Sequence, residues 1–316
     1  MGICNFRSIK EKNFIFLHSL FRTGSTYIWS KFRKQKYITC YYEPLNEQLL
    51  EEERAFEYKT AESLKHPFVE QNYFLEYSNK AKCTRIMKSK LVIDEFAHVN
   101  SGRRLKKYID CLAKSTESQY IIFQFNRTAL RVGWFKQIYQ NNTTNIYLYR
   151  NHRDQWKSIF EQFRKGNPYF LIISLMIVSR NLWHGYIKPI DSLVHIPRLA
   201  GIKGKTEKEK FGLIYNWFYE YIHYLSIEEH YLIYYYLWLI CLQYNNKIVD
   251  ICIDMTKLNK ESSYREDIRG LIRSETELDV DFSDIDLPEY DNYGIEIKSM
   301  QCIEREVERR LVSLNI

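Results

Sequence analysis

Short apolar runs alternate with stretches of helical periodicity along most of this chain. Residues 13–18 (NFIFLH) form a run of the kind a buried parallel strand shows. The loop SLFRTGS follows, and then Ile28, Trp29 and Phe32 recur at helical spacing, predicting a helix from about Gly24 to Lys34. Residues 37–42 (YITCYY) predict a second strand, ended by Glu43-Pro44. The Glu-rich stretch 46–60 favours helix, and a loop surrounds His66-Pro67. Leu105, Tyr108, Ile109 and Leu112 give residues 102–113 an i, i+3, i+4, i+7 stripe. Residues 120–125 (YIIFQF) and 145–149 (NIYLY) read as strands, with 128–139 helical between them.

After NIYLY, residues Trp156, Ile159, Phe160 and Phe163 mark one helical face, with Gly166 as a stop signal. Residues 168–185 and 209–245 are expected to be largely helical, separated by a basic, glycine-containing loop at 198–210. A late strand is expected at 247–253, an irregular acidic segment at 275–291, and a closing helix carrying Met300, Ile303, Val307 and Leu311. Strands separated by helices imply βαβ units and a parallel sheet. The expected architecture is a three-layer α/β/α domain spanning 1–316, with a helical insertion at about 166–245.

Composition narrows the classes. The 316 residues are 45% hydrophobic and 27% charged, which suits a folded protein able to bury a core without staples. The net charge of +7 suits an anionic ligand. There is no long basic run and no aromatic repeat, so nucleic acid is not an expected partner. Seven cysteines, at 4, 40, 83, 111, 241, 252 and 302, include no CxxC, and predict free thiols in a reducing compartment. The N-terminal MGICNFRSIKEK has no apolar signal core, and the twelve apolar residues Tyr231 to Leu242 are too few to cross a bilayer. The expectation is a cytoplasmic protein with no transmembrane segment, in which the N-x-Thr sequons at Asn126, Asn141 and Asn142 are chance matches.

Two stretches carry candidate chemistry. The first is the strand-to-helix turn HSLFRTGST, His18–Thr26. Such a turn aims backbone N–H groups and a helix N-terminus at one point, and phosphate is the usual guest. Arg22 adds a charged fork of donors, Thr23, Ser25 and Thr26 add hydroxyls, and Gly24 admits close approach. A Walker A loop is excluded, because Ser19 stands at its first glycine and Ser25 at its lysine. The second stretch is YLYRNHRDQWKS. Arg150 lies at a strand C-terminus, where ligands of open α/β sheets bind, and Ser158 lies off the apolar stripe of the helix that follows. Guanidinium and hydroxyl together suit a phosphate monoester.

These two stretches resemble the motifs of the sulfotransferase family that uses 3′-phosphoadenosine 5′-phosphosulfate (PAPS). The family's first motif corresponds to Arg22-Thr23-Gly24-Ser25-Thr26 and its second to Arg150, Asn151, Asp154 and Ser158. The resemblance implies a P-loop-like fold and no metal requirement. It implies that the first motif wraps the 5′-phosphosulfate and that Arg150 and Ser158 hold the 3′-phosphate. Arg22 stands where many members have lysine, and should stabilise charge on the leaving phosphate rather than act as an acid.

Cytosolic small-molecule members use a histidine on the strand before the second motif, and this chain has none there. Carbohydrate-acting members use a glutamate soon after the first helix, a place filled by Glu43. Glu43 is therefore the expected base, and a carbohydrate or glycolipid hydroxyl the expected acceptor. His18 reads as a packed strand-end histidine, and His98 is a weaker alternative base. Arg127, Arg131 and Lys136 either line the acceptor pocket or form a solvated face, and the 198–210 loop either closes over the donor or is a plain loop. The family's C-terminal Arg-Lys-Gly donor clamp is missing, with Arg269-Gly270 its partial echo. A nucleotide or small-molecule kinase, and a non-catalytic nucleotide-binding protein, remain alternatives.

Overall fold

The computed structural model describes residues 12–50, 69, 71–87, 102–198 and 206–312. The apolar runs become strands β1 (Asn13–Ser19), β2 (Ile38–Tyr42), β3 (Tyr120–Phe125), β4 (Thr143–Tyr149) and β5 (Ile251–Asp254). They form one all-parallel sheet in the order β2-β3-β1-β4-β5. Burial on both faces explains why these strands read as apolar runs and not as alternating patterns.

Helices cover both faces. Ile15 and Leu17 of β1 pack with helix α1 (Ser25–Arg33) and with two later helices, α9 (Met255–Lys260) and α10 (Ser262–Thr276). Phe14 and Phe16 point the other way, onto α3 (Arg103–Lys114) and α4 (Val132–Ile138). A third apolar cluster joins Tyr147 of β4 to α5 (His152–Arg164), α6 (Tyr169–Arg180), α7 (Glu207–Tyr221), α8 (Ile227–Asn245) and α11 (Ile297–Val312). The three-layer α/β/α arrangement expected from the sequence is present.

Several boundaries differ from expectation, each for a local reason. The 209–245 stretch is two helices because Ser226 and Glu229 form a capping box that restarts the chain after a 3-10 turn at Ile222–Tyr224. Thr206 and Glu209 form another, so the end of the expected 198–210 loop is already helix α7, while 199–205 lie outside the described residues. The 168–185 helix ends at Arg180. Residues 129–131 are a 3-10 turn ahead of α4, and 47–50 a 3-10 turn in place of the start of a longer helix. Residues 51–60 and His98 lie outside the described residues. Helices α2 (Ala81–Met87), α9 and α10 were not anticipated.

The expectation that all cysteines are free thiols is overturned. Cys83 of α2 and Cys111 of α3 form a disulfide, with Cα atoms 5.5 Å apart. Their separation of 28 residues carries no motif, and only the packing of α2 on α3 brings them together. Cys40, Cys241, Cys252 and Cys302 are free. Among the described residues no helix is long and apolar enough to cross a membrane.

Candidate active site

Adjacent strands β1 and β4 send their chains to opposite faces of the sheet. The loop after β1 enters α1 on one side, whereas β4 enters α5 on the other. Such a switch opens a crevice at the C-terminal ends of the strands. A cavity of about 460 Å³ lies there. It is lined by Arg22, Gly24, Ser25, Thr26, Glu43, Arg150 and Ser158, which are all but one of the expected site residues. The exception is Thr23, which is buried and donates from Oγ1 to the Leu20 carbonyl at 2.9 Å, so it shapes the loop from within.

The loop owes its form to two left-handed residues, Arg22 (φ 65°) and Gly24 (φ 100°). At Gly24 a side chain would be both strained and crowded, since a Cβ there would meet Leu287 Cδ2 at 3.0 Å and Met255 Cε at 3.2 Å. Helix α1 then begins with no acidic residue in its first turn, leaving its N-terminal dipole uncompensated.

The two stretches singled out in the sequence meet side chain to side chain. Arg22 donates from Nε to Ser158 Oγ at 2.9 Å, and its guanidinium lies over the Phe170 ring, 5.3 Å from the centroid. Gln155, one turn before Ser158, is buried and donates to the Phe21 carbonyl at 2.6 Å, which ties α5 to the loop. Asn151 caps α5 by accepting from the N–H groups of Arg153 and Asp154, so it orients the helix and does not face the cavity. Arg150 is buried and donates from Nη2 to the Pro288 carbonyl at 2.9 Å. Its backbone carbonyl accepts from Trp238 Nε1 at 3.0 Å. Burial lowers the pKa of Arg150, the nearby Asp154 opposes this, and the charge of Arg22 lowers it further. The buried Arg150 and the half-buried Arg22 in one crevice favour an anionic guest.

Glu43 closes the other side. It is buried, sits at φ 37°, and follows directly on β2. Its Oε2 accepts from Asn46 Nδ2 at 2.6 Å, and its Oε1 accepts from Asn126 Nδ2. Arg127 Nη2 lies 3.8 Å from Glu43 and 3.1 Å from Glu47, whose other oxygen accepts from Tyr169 OH at 2.5 Å. Burial raises the pKa of Glu43, with Arg127 and Asn46 pulling it back and Glu47 adding to the rise. Tyr42 beside it is half-buried and its hydroxyl contacts Thr26 Oγ1 at 3.3 Å.

The remaining candidates separate cleanly. His18 is fully buried, pairs through Nδ1 with Thr128 Oγ1 at 2.8 Å, and does not line the cavity; burial pushes its pKa down to about 3. Arg127 lines the cavity, whereas Arg131 and Lys136 do not, Lys136 being held by Asp250. Arg269 is held by Asp279 on the exposed side of α10 and does not line the cavity. The cavity wall there is made by Asp286, Leu287 and Pro288, which sequence patterning did not single out. Asn126, at the end of β3, was also missed. Its only sequence signal is a polar residue where a parallel strand ends.

Comparison with protein-family models, with curated proteins and with solved structures finds no match to this chain.

Proposed function

We propose that this chain is a sulfotransferase that moves the sulfuryl group of PAPS to a hydroxyl, in the carbohydrate or glycolipid class. The observation that carries the proposal is the contact of Arg22 with Ser158, which joins the turn after β1 and helix α5 in one cavity opposite a buried carboxylate. A buried guanidinium and a half-buried one, a helix N-terminus and several hydroxyls suit a nucleotide with phosphate groups at two places.

Arg22 and the α1 N-terminus stabilise the negative charge that builds on the donor's phosphate as its bond to sulfur breaks. Arg150 and Ser158 hold the 3′-phosphate and so fix the register of the donor. Glu43 accepts the acceptor's hydroxyl proton as the new oxygen–sulfur bond forms. Its desolvation supports that role, because a buried carboxylate binds a proton more readily than an exposed one. The carbohydrate class follows from the use of glutamate in place of histidine.

Calorimetric titration with 3′-phosphoadenosine 5′-phosphate (PAP), the desulfated product, against ATP with Mg²⁺ tests the proposal. PAP binding that is lost in Arg150→Ala is the expected result. Binding of ATP with Mg²⁺ and none of PAP overturns it and favours a kinase.

A further inference from the structure

Resting on the sulfotransferase proposal, we infer that Asn126 is a positioning residue that ties the donor loop to the general base, its amide bridging Ser25 and Glu43. The topology makes this position singular. Strand β3 lies between β1 and β2, and its register sets Phe125 beside His18 and Gln124 beside Tyr42. The residue after β3 therefore stands between the strand end that opens the donor loop and the strand end that carries Glu43.

An amide is the side chain that serves both neighbours. Asn126 Oδ1 accepts from Ser25 Oγ at 2.9 Å, from Gln124 Nε2 at 2.5 Å and from Ser19 Oγ at 3.4 Å. Its Nδ2 donates to Glu43 Oε1. Gln124 also donates to Ser25 Oγ at 3.0 Å, which closes the triangle of Ser25, Gln124 and Asn126. Ser25 opens helix α1 at the donor site, so a displacement of the loop is passed through one side chain to the carboxylate that receives the proton. The carboxylate of aspartate in this position would accept from Ser25 and repel Glu43. Alanine would serve neither.

The other groups acting on Glu43 are known. Arg127 and Glu47 face it, Asn46 donates to its second oxygen, and the phenols of Tyr42, Tyr77 and Tyr169 lie in its field. Donation of an N–H to a carboxylate favours its charged form, so loss of Asn126 should make Glu43 hold its proton to higher pH.

The test is an infrared titration of the full chain, with the Glu43 carboxyl band identified by its loss in Glu43→Gln, alongside sulfate release from PAPS with water as acceptor. The Glu43 midpoint should move to higher pH in Asn126→Ala and further in Asn126→Asp. Sulfate release at neutral pH should fall about ten- to a hundredfold. Thermal melts and PAP titrations of both variants verify that the fold and donor grip survive. Wild-type PAP binding with an unmoved Glu43 midpoint and unchanged sulfate release in both variants overturns the role of Asn126 alone. Absence of PAP binding by the wild-type chain overturns the sulfotransferase proposal and this inference with it.

Discussion

Arg22 Nε and Ser158 Oγ are 2.9 Å apart although 136 residues separate them in the chain. The hydroxyl accepts from the guanidinium and keeps its own hydrogen for another partner. Ser158→Ala should therefore remove one donor to a charged ligand and release the aim of Arg22. A hydrogen bond to a charged group contributes about 1.5–3 kcal/mol, so PAP affinity should fall about ten- to a hundredfold by calorimetry, with the thermal midpoint little changed.

Gly24 combines a left-handed backbone with a tight approach to Leu287 and Met255. Gly24→Ala should cost about 1–3 kcal/mol in urea denaturation and weaken PAP binding at the same time. Unchanged stability would mean that the loop relaxes around a side chain, contrary to the crowding seen.

Glu43 has a pKa above its ordinary value because of burial. Its ionisation is thus harder in the folded chain than in the unfolded one. Its stabilising contribution is present in full below the unfolded pKa of 4.5 and is lost as pH rises through the higher folded value. Glu43→Gln should flatten that loss in a pH series of urea melts, keep PAP binding, and abolish sulfuryl transfer.

His18 works in the opposite sense. Burial lowers its pKa from 6.5 to about 3, so the unfolded chain takes up a proton that the folded one refuses. Stability should fall as pH drops from 6.5 toward 3, and His18→Gln should reduce the slope across that window. An identical slope in the variant would place the acid sensitivity elsewhere.

The Cys83–Cys111 bridge closes a loop of 28 residues between α2 and α3, away from the cavity lining. Chain entropy assigns such a loop about 3–4 kcal/mol. Cys83→Ala should lower stability by about that amount in urea denaturation and leave PAP affinity intact.

The strands, and the two stretches that meet at the cavity, were legible in the sequence because their signals are local. A strand buried on both faces is a continuous apolar run, and a turn rich in hydroxyls around a glycine needs only its own residues to be recognised. Asn126 had no such signal, since an asparagine after a strand reads as a turn residue until the sheet order shows what stands on either side. Pro288 reaches Arg150 through a main-chain carbonyl, which any residue supplies. Helix α10 has buried Ile268 and Ile272, but Gly270 and several charged residues interrupt its pattern. The disulfide and the hold of Asp279 on Arg269 are facts of packing, invisible to spacing.

Helix α6 places Phe170 beneath Arg22 and its neighbour Tyr169 against Glu47. The cation's seat is shared with strand ends that the sheet holds in place, whereas Gln48 and Asn72 stand on connecting segments after β2. On the proposed function, this divides the protein into a conserved-by-geometry chassis for the donor and an exchangeable wall for the acceptor. Substitutions at Gln48, Asn72 or Asn167 are the route by which the same catalyst would be re-addressed to a different hydroxyl, by selection or by design, without rebuilding its grip on the nucleotide.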